Sequence, residues 1–529
     1  MSGEARSDAR EVCFMIELTA REAAEKIKDN STIAIVGMGL SGFPDEIARA
    51  IADRYNETGH PKDLTIKQGS AIGDFKERGT TRFGIEGLVK EYTGAHIGAA
   101  RGLIKLANEG KIQCHCLPQG MIVNQWREIA AGKPGYISKV GLHTFVDPRY
   151  EGGCMNKAAK NDVVKLVEFE GEEYLFYPSF KLDVALLRGT TADENGNITY
   201  DHEPMVHEGL AAAEAAKKSG GIVIVQVEYL AQKGSLPPKN VKIPGAFVDY
   251  VVVATDKNAC WQSQAGYYEP SFCGLGRKPV KKIAPLPLDE RKVIARRCAM
   301  ELRDGYIINM GIGLPMGVAR IAAEEGCFDR IITSTESGIV GGIAETPSTT
   351  ANAEAIIDHG AMFDFIDGGG IDMTCLGMGE LDAEGNVNVS RFAGTYYGPG
   401  GFIDLTQCSK KVAFCGTFTG KGEYLVKDGK IEIVKEGTIR KILPHVDQIT
   451  FNGNYVREGQ EIIYITERCV MKVRDGKLVV TEIAPGIDFE TQIKALVDFD
   501  LEMAPDCKLM DEGLFREKWG GLPDAMNGK

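Results

Sequence analysis

The chain has 529 residues, enough for two to four domains. Hydrophobic residues make up 43% and charged residues 26%, so large buried cores are possible, and no apolar run reaches the ~18 residues that a bilayer span needs. A net charge of −13 argues against a nucleic-acid footprint or attraction to an anionic membrane.

The first fifteen residues are polar and mixed in charge, with no apolar segment of the kind a signal peptidase reads. Thirteen cysteines, an odd number spread from Cys13 to Cys507, fit free thiols in a reducing compartment better than a disulfide framework. The expectation is a cytoplasmic α/β protein.

From Ile33 the chain writes IAIVGMGLSGFPDEIARAI: an apolar strand, Gly37-x-Gly39-x-x-Gly42, then a helix with Pro44 in its first turn. That is the spacing of a dinucleotide-binding turn. Such a site also wants an acid at the end of the next strand, to hold the ribose hydroxyls. The next strand, residues 64–67, ends in Lys67-Gln68-Gly69, and Asp63 lies before it. The nicotinamide reading is therefore weak. What remains is a turn at a helix N-terminus, suited to phosphate or a developing oxyanion.

Further along, Cys114-His115-Cys116 has no second ligand cluster and reads as strand alternation rather than metal binding. Residues 183–200 place Glu194-Asn195-Gly196-Asn197 between two strand-like runs, a hairpin signal. His202 and His207 stand five apart, whereas a zinc helix of the HExxH type needs four, so that segment is expected to be a surface turn. Residues 278–289, rich in Pro and Lys, form a natural linker, and residues 290–304 start a helix.

The pattern then repeats. YIINMGIGLPMGVARIAAEEG, from Tyr306, again runs strand, G-x-G-L, Pro and helix, and Glu384-Gly385-Asn386 again marks a hairpin. Gly37 precedes Asn197 by 160 residues and Gly311 precedes Asn386 by 75, so the first copy carries an insertion of about 85. The expected fold class is α/β: two tandem, related open-sheet domains, residues 1–285 and 286–529. Within the second copy, the run 330–335 reads as a buried strand ending at Glu336. A strand–helix–strand crossover is right-handed and parallel, so Glu336 and the 311–315 turn should emerge together at the carboxyl edge of the sheet. The first copy has no acid there, only Gln68-Gly69-Ser70. Asp367 and the three glycines after it are read as following an apolar strand, and the chain shows neither a G-x-S-x-G elbow nor a Walker pattern.

Glu336-Ser337-Gly338, the Gly311-Ile312-Gly313-Leu314-Pro315 turn and GPGGFIDL at residues 398–405 together resemble the signature of family I CoA-transferases. GMGLSGFPDEI, LPQG at residues 117–120 and TFVDPRYEGG extend the resemblance over nearly the whole chain. The arrangement is similar to the fused acetate and propionate CoA-transferases and, more distantly, to succinyl-CoA:3-oxoacid CoA-transferase. Thr335 and Ser337 stand where the better-known signature has Ser and Asn, and Pro399 interrupts the glycine loop.

The resemblance implies ping-pong exchange of CoA between a short-chain acyl-CoA and a carboxylate through a glutamyl-CoA thioester on Glu336. It implies oxyanion donors among Gly400 and Gly401 on one side and Gly69, Ser70 and Ala71 on the other. Gln119 would orient the substrate carboxylate, or is simply a helix-start residue. Gly311, Ile312, Gly313, Leu314 and Pro315 would hold CoA. No metal, flavin or nicotinamide is called for, and the chain is expected to form a homodimer or tetramer. The competing expectations are an acyl-CoA hydrolase on the same scaffold, an NAD(P)-dependent oxidoreductase using the GMGLSG turn, and a non-catalytic CoA-binding protein.

Overall fold

The computed structural model describes residues 15–264, 266–279, 285–346, 349–392 and 394–528. The N-terminal segment with Cys13, and residues 280–284 of the expected linker beside the 285/286 boundary, lie outside them. Two open sheets form the framework. The first has eight strands, all parallel, in the order Ile16–Glu17, Tyr250–Val253, Ile222–Val227, Val184–Arg188, Thr32–Ile35, Leu64–Gln68, Val89–Gly94 and Gln113–Cys116. Such strands are covered on both faces and read as continuous apolar runs rather than alternating ones. All five residues of Val184–Arg188 are buried, Arg188 included.

The second sheet has ten strands. Its centre, Glu461–Ile465, Lys411–Cys415, Met373–Gly377, Ile307–Met310 and Ile332–Ser334, is parallel. It repeats the order from Tyr250–Val253 to Leu64–Gln68 in the first sheet. Antiparallel strands then extend each edge: Ile339–Val340 on one side, Cys469–Arg474 and Lys477–Ile483 on the other.

The repeat reaches individual hydrogen bonds. Asp183 Oδ2 accepts from Thr32 N–H at 2.9 Å, and Asp372 Oδ2 accepts from Ile307 N–H at 2.9 Å. In the two hairpins, Asp193 Oδ1 accepts from Asn195 and Asn197 N–H, and Asp382 Oδ1 accepts from Glu384 and Asn386 N–H. Asn197 Oδ1 then holds Gly245 N–H at 3.0 Å, as Asn386 Oδ1 holds Gly453 N–H at 3.0 Å. These carboxylates satisfy amides that the tight turn would otherwise strand.

The insertion lies between Gln68 and Val184. It supplies two extra parallel strands, helices Arg101–Asn108 and Gln119–Ala130, and a small antiparallel sheet of Gly135–Ser138, Glu172–Pro178 and Lys165–Phe169. It also grips the second half. Gly120 N–H donates to Asp404 Oδ1 at 3.1 Å, Gly141 N–H to Gln407 Oε1 at 2.8 Å, and Phe145 N–H to Ile449 O at 2.8 Å. Val123, on the Gln119–Ala130 helix, is buried in the same core as Phe363 and Phe402.

Three expectations are corrected. The segment from His202 to His207 is no surface turn: Glu203 and His207 are buried, because Glu203 pairs with buried Arg188 at 2.8 Å. Asp367 ends a helix, His359–Asp367, rather than following a strand. Cys114, His115 and Cys116 do lie on a strand, but all three are buried, since that strand is covered on both sides. The twelve cysteines among the described residues are free thiols, and no described helix is long and apolar enough to cross a membrane.

Candidate active site

Both halves line one cavity of about 640 Å³. Met38, Ala71, Phe75, His96 and Gln119 come from the first; Gly311, Glu336, Phe392, Tyr397 and Gly401 come from the second. Glu336 follows the Ile332–Ser334 strand, where the turn is fixed from within. Thr335 N–H donates to Ile339 O at 2.9 Å, and the Thr335 and Ser337 hydroxyls are 2.8 Å apart. Gly338 closes it at φ +97°, where a Cβ would overlap Ile357 O. The Glu336 carboxylate accepts no hydrogen bond and joins no ion pair among the described residues. Burial raises its pKa above the ordinary carboxylate value, with His359 opposing.

The 398–402 loop lies against this carboxylate. A Cβ on Gly401 would overlap Glu336 Oε2, so a bare backbone is what lets the two meet. The Gly401 N–H has no protein acceptor among the described residues. The Gly400 N–H, by contrast, donates to Ala95 O at 2.9 Å and is not available to an oxyanion. On the opposite wall only Ala71 of its loop lines the cavity. Gly69 sits behind it against Glu208 and Val123, and the Ser70 hydroxyl donates to Gly37 O. Gln119 does line the cavity and is about 1% exposed; its N–H donates to Gly400 O at 3.0 Å.

The two glycine turns have diverged. In the first, most amides are used internally: Met38 and Ser41 bond each other, Gly39 N–H donates to Ala71 O, and Gly42 N–H donates to Glu203 Oε2 at 3.0 Å, while the buried Gly37 and Leu40 N–H groups make no protein hydrogen bond among the described residues. A carboxylate of the protein already sits where a pyrophosphate would bind, and His207 stands 2.7 Å from where a Gly42 Cβ would be. The Gly42 amide at the helix start is therefore not open to a pyrophosphate. The second turn is open. Gly311 N–H donates to Cys375 O, but the Ile312 and Gly313 N–H groups make no protein hydrogen bond among the described residues, and Ile312 is exposed. Gly311, Ile312, Leu314 and Pro315 line the cavity, with Gly313 in the same turn at φ +92°.

A coenzyme A transferase family model matches residues 17–254. The caffeate CoA-transferase of Acetobacterium woodii is 58% identical, over 97% of this chain and 99% of its own. The chain belongs to the coenzyme A transferase family. The acetate CoA-transferase YdiF of Escherichia coli (strain K12) is 39% identical over 96% of this chain and 97% of its own. The crystal structure of YdiF from E. coli O157:H7 as a thioester complex with CoA superposes with a TM-score of 0.90, at 39% identity, over 96% of this chain and 97% of that one. The caffeate relative is thus more similar to this transferase than the acetate enzyme whose type the sequence resembles.

Sequence reasoning missed several residues of the transferase's cavity. Lys441 reaches it without an ion pair among the described residues, and burial lowers its pKa. Burial lowers His96 to about 4, leaving it neutral at ordinary pH. Phe392 and Tyr397 stack with ring centroids 4.8 Å apart on the cavity wall. His359 holds Gln119 from behind: the two Nε2 atoms are 3.0 Å apart, and His359 Nδ1 lies 2.7 Å from Glu208 Oε2. Burial pulls His359 down, but Glu208, then Glu336 and Asp358, outweigh it and raise its pKa. None of these carries a local motif; each is brought in from a separate element.

Proposed function

We propose that the transferase moves CoA between an acyl-CoA and a free carboxylate through a covalent intermediate on Glu336. The observation that carries this reading is the Glu336 carboxylate itself: uncommitted, in the shared cavity, against the bare backbone of Gly401. A Glu336 oxygen attacks the thioester carbonyl; the C–S bond breaks, giving an acyl–glutamyl anhydride and CoA thiolate. The thiolate then attacks the glutamyl carbonyl and expels the substrate carboxylate, leaving glutamyl-CoA. A second carboxylate reverses both steps. A carboxylate suits this because it leaves as readily as it attacks. The Gly401 N–H is the oxyanion donor on one side, such a donor being typically worth ~3 kcal/mol. The exposed Ile312 and Gly313 amides receive CoA. Acyl energy is conserved through thioester and anhydride, so the scheme calls on no metal or redox group.

The acyl groups first expected are acetyl and propionyl. A second reading, an arylpropenoate exchanged against a short-chain acyl-CoA, is favoured by the ring-lined wall of Phe75, Phe392, Tyr397 and Phe402, and supported by the relative named a caffeate CoA-transferase. The test is intact mass spectrometry after brief incubation with acetyl- or propionyl-CoA and no acceptor, followed by peptide mapping. A CoA-sized adduct on the Glu336 peptide is expected. Free CoA accumulating without an adduct would identify a hydrolase instead. Rates with acetate, propionate and caffeate as acceptors then rank the two acyl readings.

A further inference from the structure

Behind Gln119 stands a buried pair that the exchange scheme leaves unused. Glu208 stands immediately before helix Gly209–Lys218, and His359 is the first residue of helix His359–Asp367. Each is about 1% exposed, and they meet at 2.7 Å. Gln119, the first residue of its own helix, meets the far side of the ring at 3.0 Å. Three helix starts, from the first copy, its insertion and the second copy, thus converge on one imidazole.

What Gln119 shows the cavity depends on that ring. A bare Nε2 accepts from the amide NH₂ and leaves Oε1 facing the cavity, which is how the amide stands in this structure, with Oε1 on the Gly400 side. An Nε2–H requires Oε1 as its acceptor and turns the NH₂ outward. Only the second arrangement can donate to an acyl oxygen or a substrate carboxylate. It requires the Gln119 amide to be turned over, its O and N being told apart by their partners alone, and two observations select it. Glu208 is a buried carboxylate whose Oε1 has no partner, and its ion-pair partner among the described residues is His359, so a neutral ring would leave its charge uncompensated. The other titratable groups facing the ring are Glu336 from the strand-end turn, Asp358 from its own helix cap, and His207 from the preceding loop. Both acids favour the cation; burial pushes His207 down to about 3 and leaves it uncharged.

Gln119 is also in the right place. Gly400, whose carbonyl accepts from the Gln119 N–H, and Gly401, against Glu336, are neighbours in one loop. We propose that the His359–Glu208 pair is a positioning device whose Nε2–H takes the Gln119 carbonyl and aims the Gln119 NH₂ at the acyl group carried by Glu336. The ring takes its proton from water and keeps it through the cycle; none passes to substrate. The assignment rests on Glu336 as the acylated residue.

Glu208→Gln and His359→Gln test it, each checked for folding by thermal unfolding. Glu208→Gln keeps the size but removes the charge that holds the ring protonated. It is expected to lower kcat roughly 10²-fold, as for one lost oriented donor, with KM for the acyl-CoA little changed. It should also move the basic limb of the pH–kcat profile to lower pH. His359→Gln offers Gln119 an amide N–H at every pH, so it should outperform His359→Ala and lose the basic limb. Wild-type kcat and an unmoved limb in Glu208→Gln would overturn the proposal, even if His359→Gln did not fold. Failure of the Glu336 reading looks different: the wild type itself would then give no CoA adduct, whereas a failed positioning pair leaves the adduct in place.

Discussion

At the scale of single residues, Glu336 combines two properties that usually exclude each other: burial raises its pKa, yet its carboxylate has no partner among the described residues. Glu336→Ala should abolish exchange in a steady-state assay. Glu336→Asp withdraws the proposed nucleophile by about a bond length, and should lose roughly 10²-fold in kcat/KM or more. The folded carboxyl binds its proton more tightly than the unfolded one, so ionising it costs stability. That cost appears as pH rises from the unfolded pKa through the folded one. Glu336→Gln should therefore unfold at a higher temperature than wild type at neutral pH and show no such gain at acid pH; calorimetry at both reads it. Gly401→Ala keeps an allowed backbone at φ −84° but places a methyl on the carboxylate. It should fold normally and form the CoA adduct far more slowly by mass spectrometry. The place of Glu336 at a strand end beside the cavity was legible because a strand end beside a glycine turn is a local pattern. His359 and Lys441 were not legible, because nothing local distinguishes a buried His at a helix start or a Lys near a strand from any other.

At the scale of elements, the strand–turn–helix units and the paired hairpins were readable, since turn chemistry demands Gly, Asn and Asp at fixed offsets. The fate of the first glycine turn was not. Its Gly42 amide is taken by Glu203, more than 160 positions on, which Arg188 holds at 2.8 Å through two nitrogens. Arg188→Met strands a buried carboxylate and should cost ~3–5 kcal/mol in denaturant unfolding. Adding Glu203→Leu should recover part of that loss, the signature of a pair rather than two independent contributions. Nicotinamide fluorescence should be unchanged on mixing NADH with wild type, because the Gly42 amide at the helix start is already taken by the Glu203 carboxylate.

At the scale of the molecule, the duplicated sheets make sense of a cavity that neither half encloses alone. The sequence showed the duplication and the size of the insertion, but not its use. Its helix Gln119–Ala130 delivers Gln119 to the cavity and Val123 to the other half's core. Long-range docking of this kind leaves no period or spacing to read. If the ring-lined wall recognises the acyl group, Phe392→Ala should reduce caffeate turnover more than acetate turnover, measured as a ratio of kcat/KM.

The two glycine turns also say something about how a doubled protein settles its division of labour. One copy answers its Gly42 amide with an internal carboxylate and is a strut; the other leaves the Ile312 and Gly313 N–H groups open among the described residues. The strut cannot be turned back by opening the loop alone. An engineer seeking a second acyl site in the first half would have to remove the Arg188 guanidinium and the Glu203 carboxylate together, then supply a nucleophile where the chain now ends its strand in Gln68. The ancestral choice is locked by charge rather than by shape.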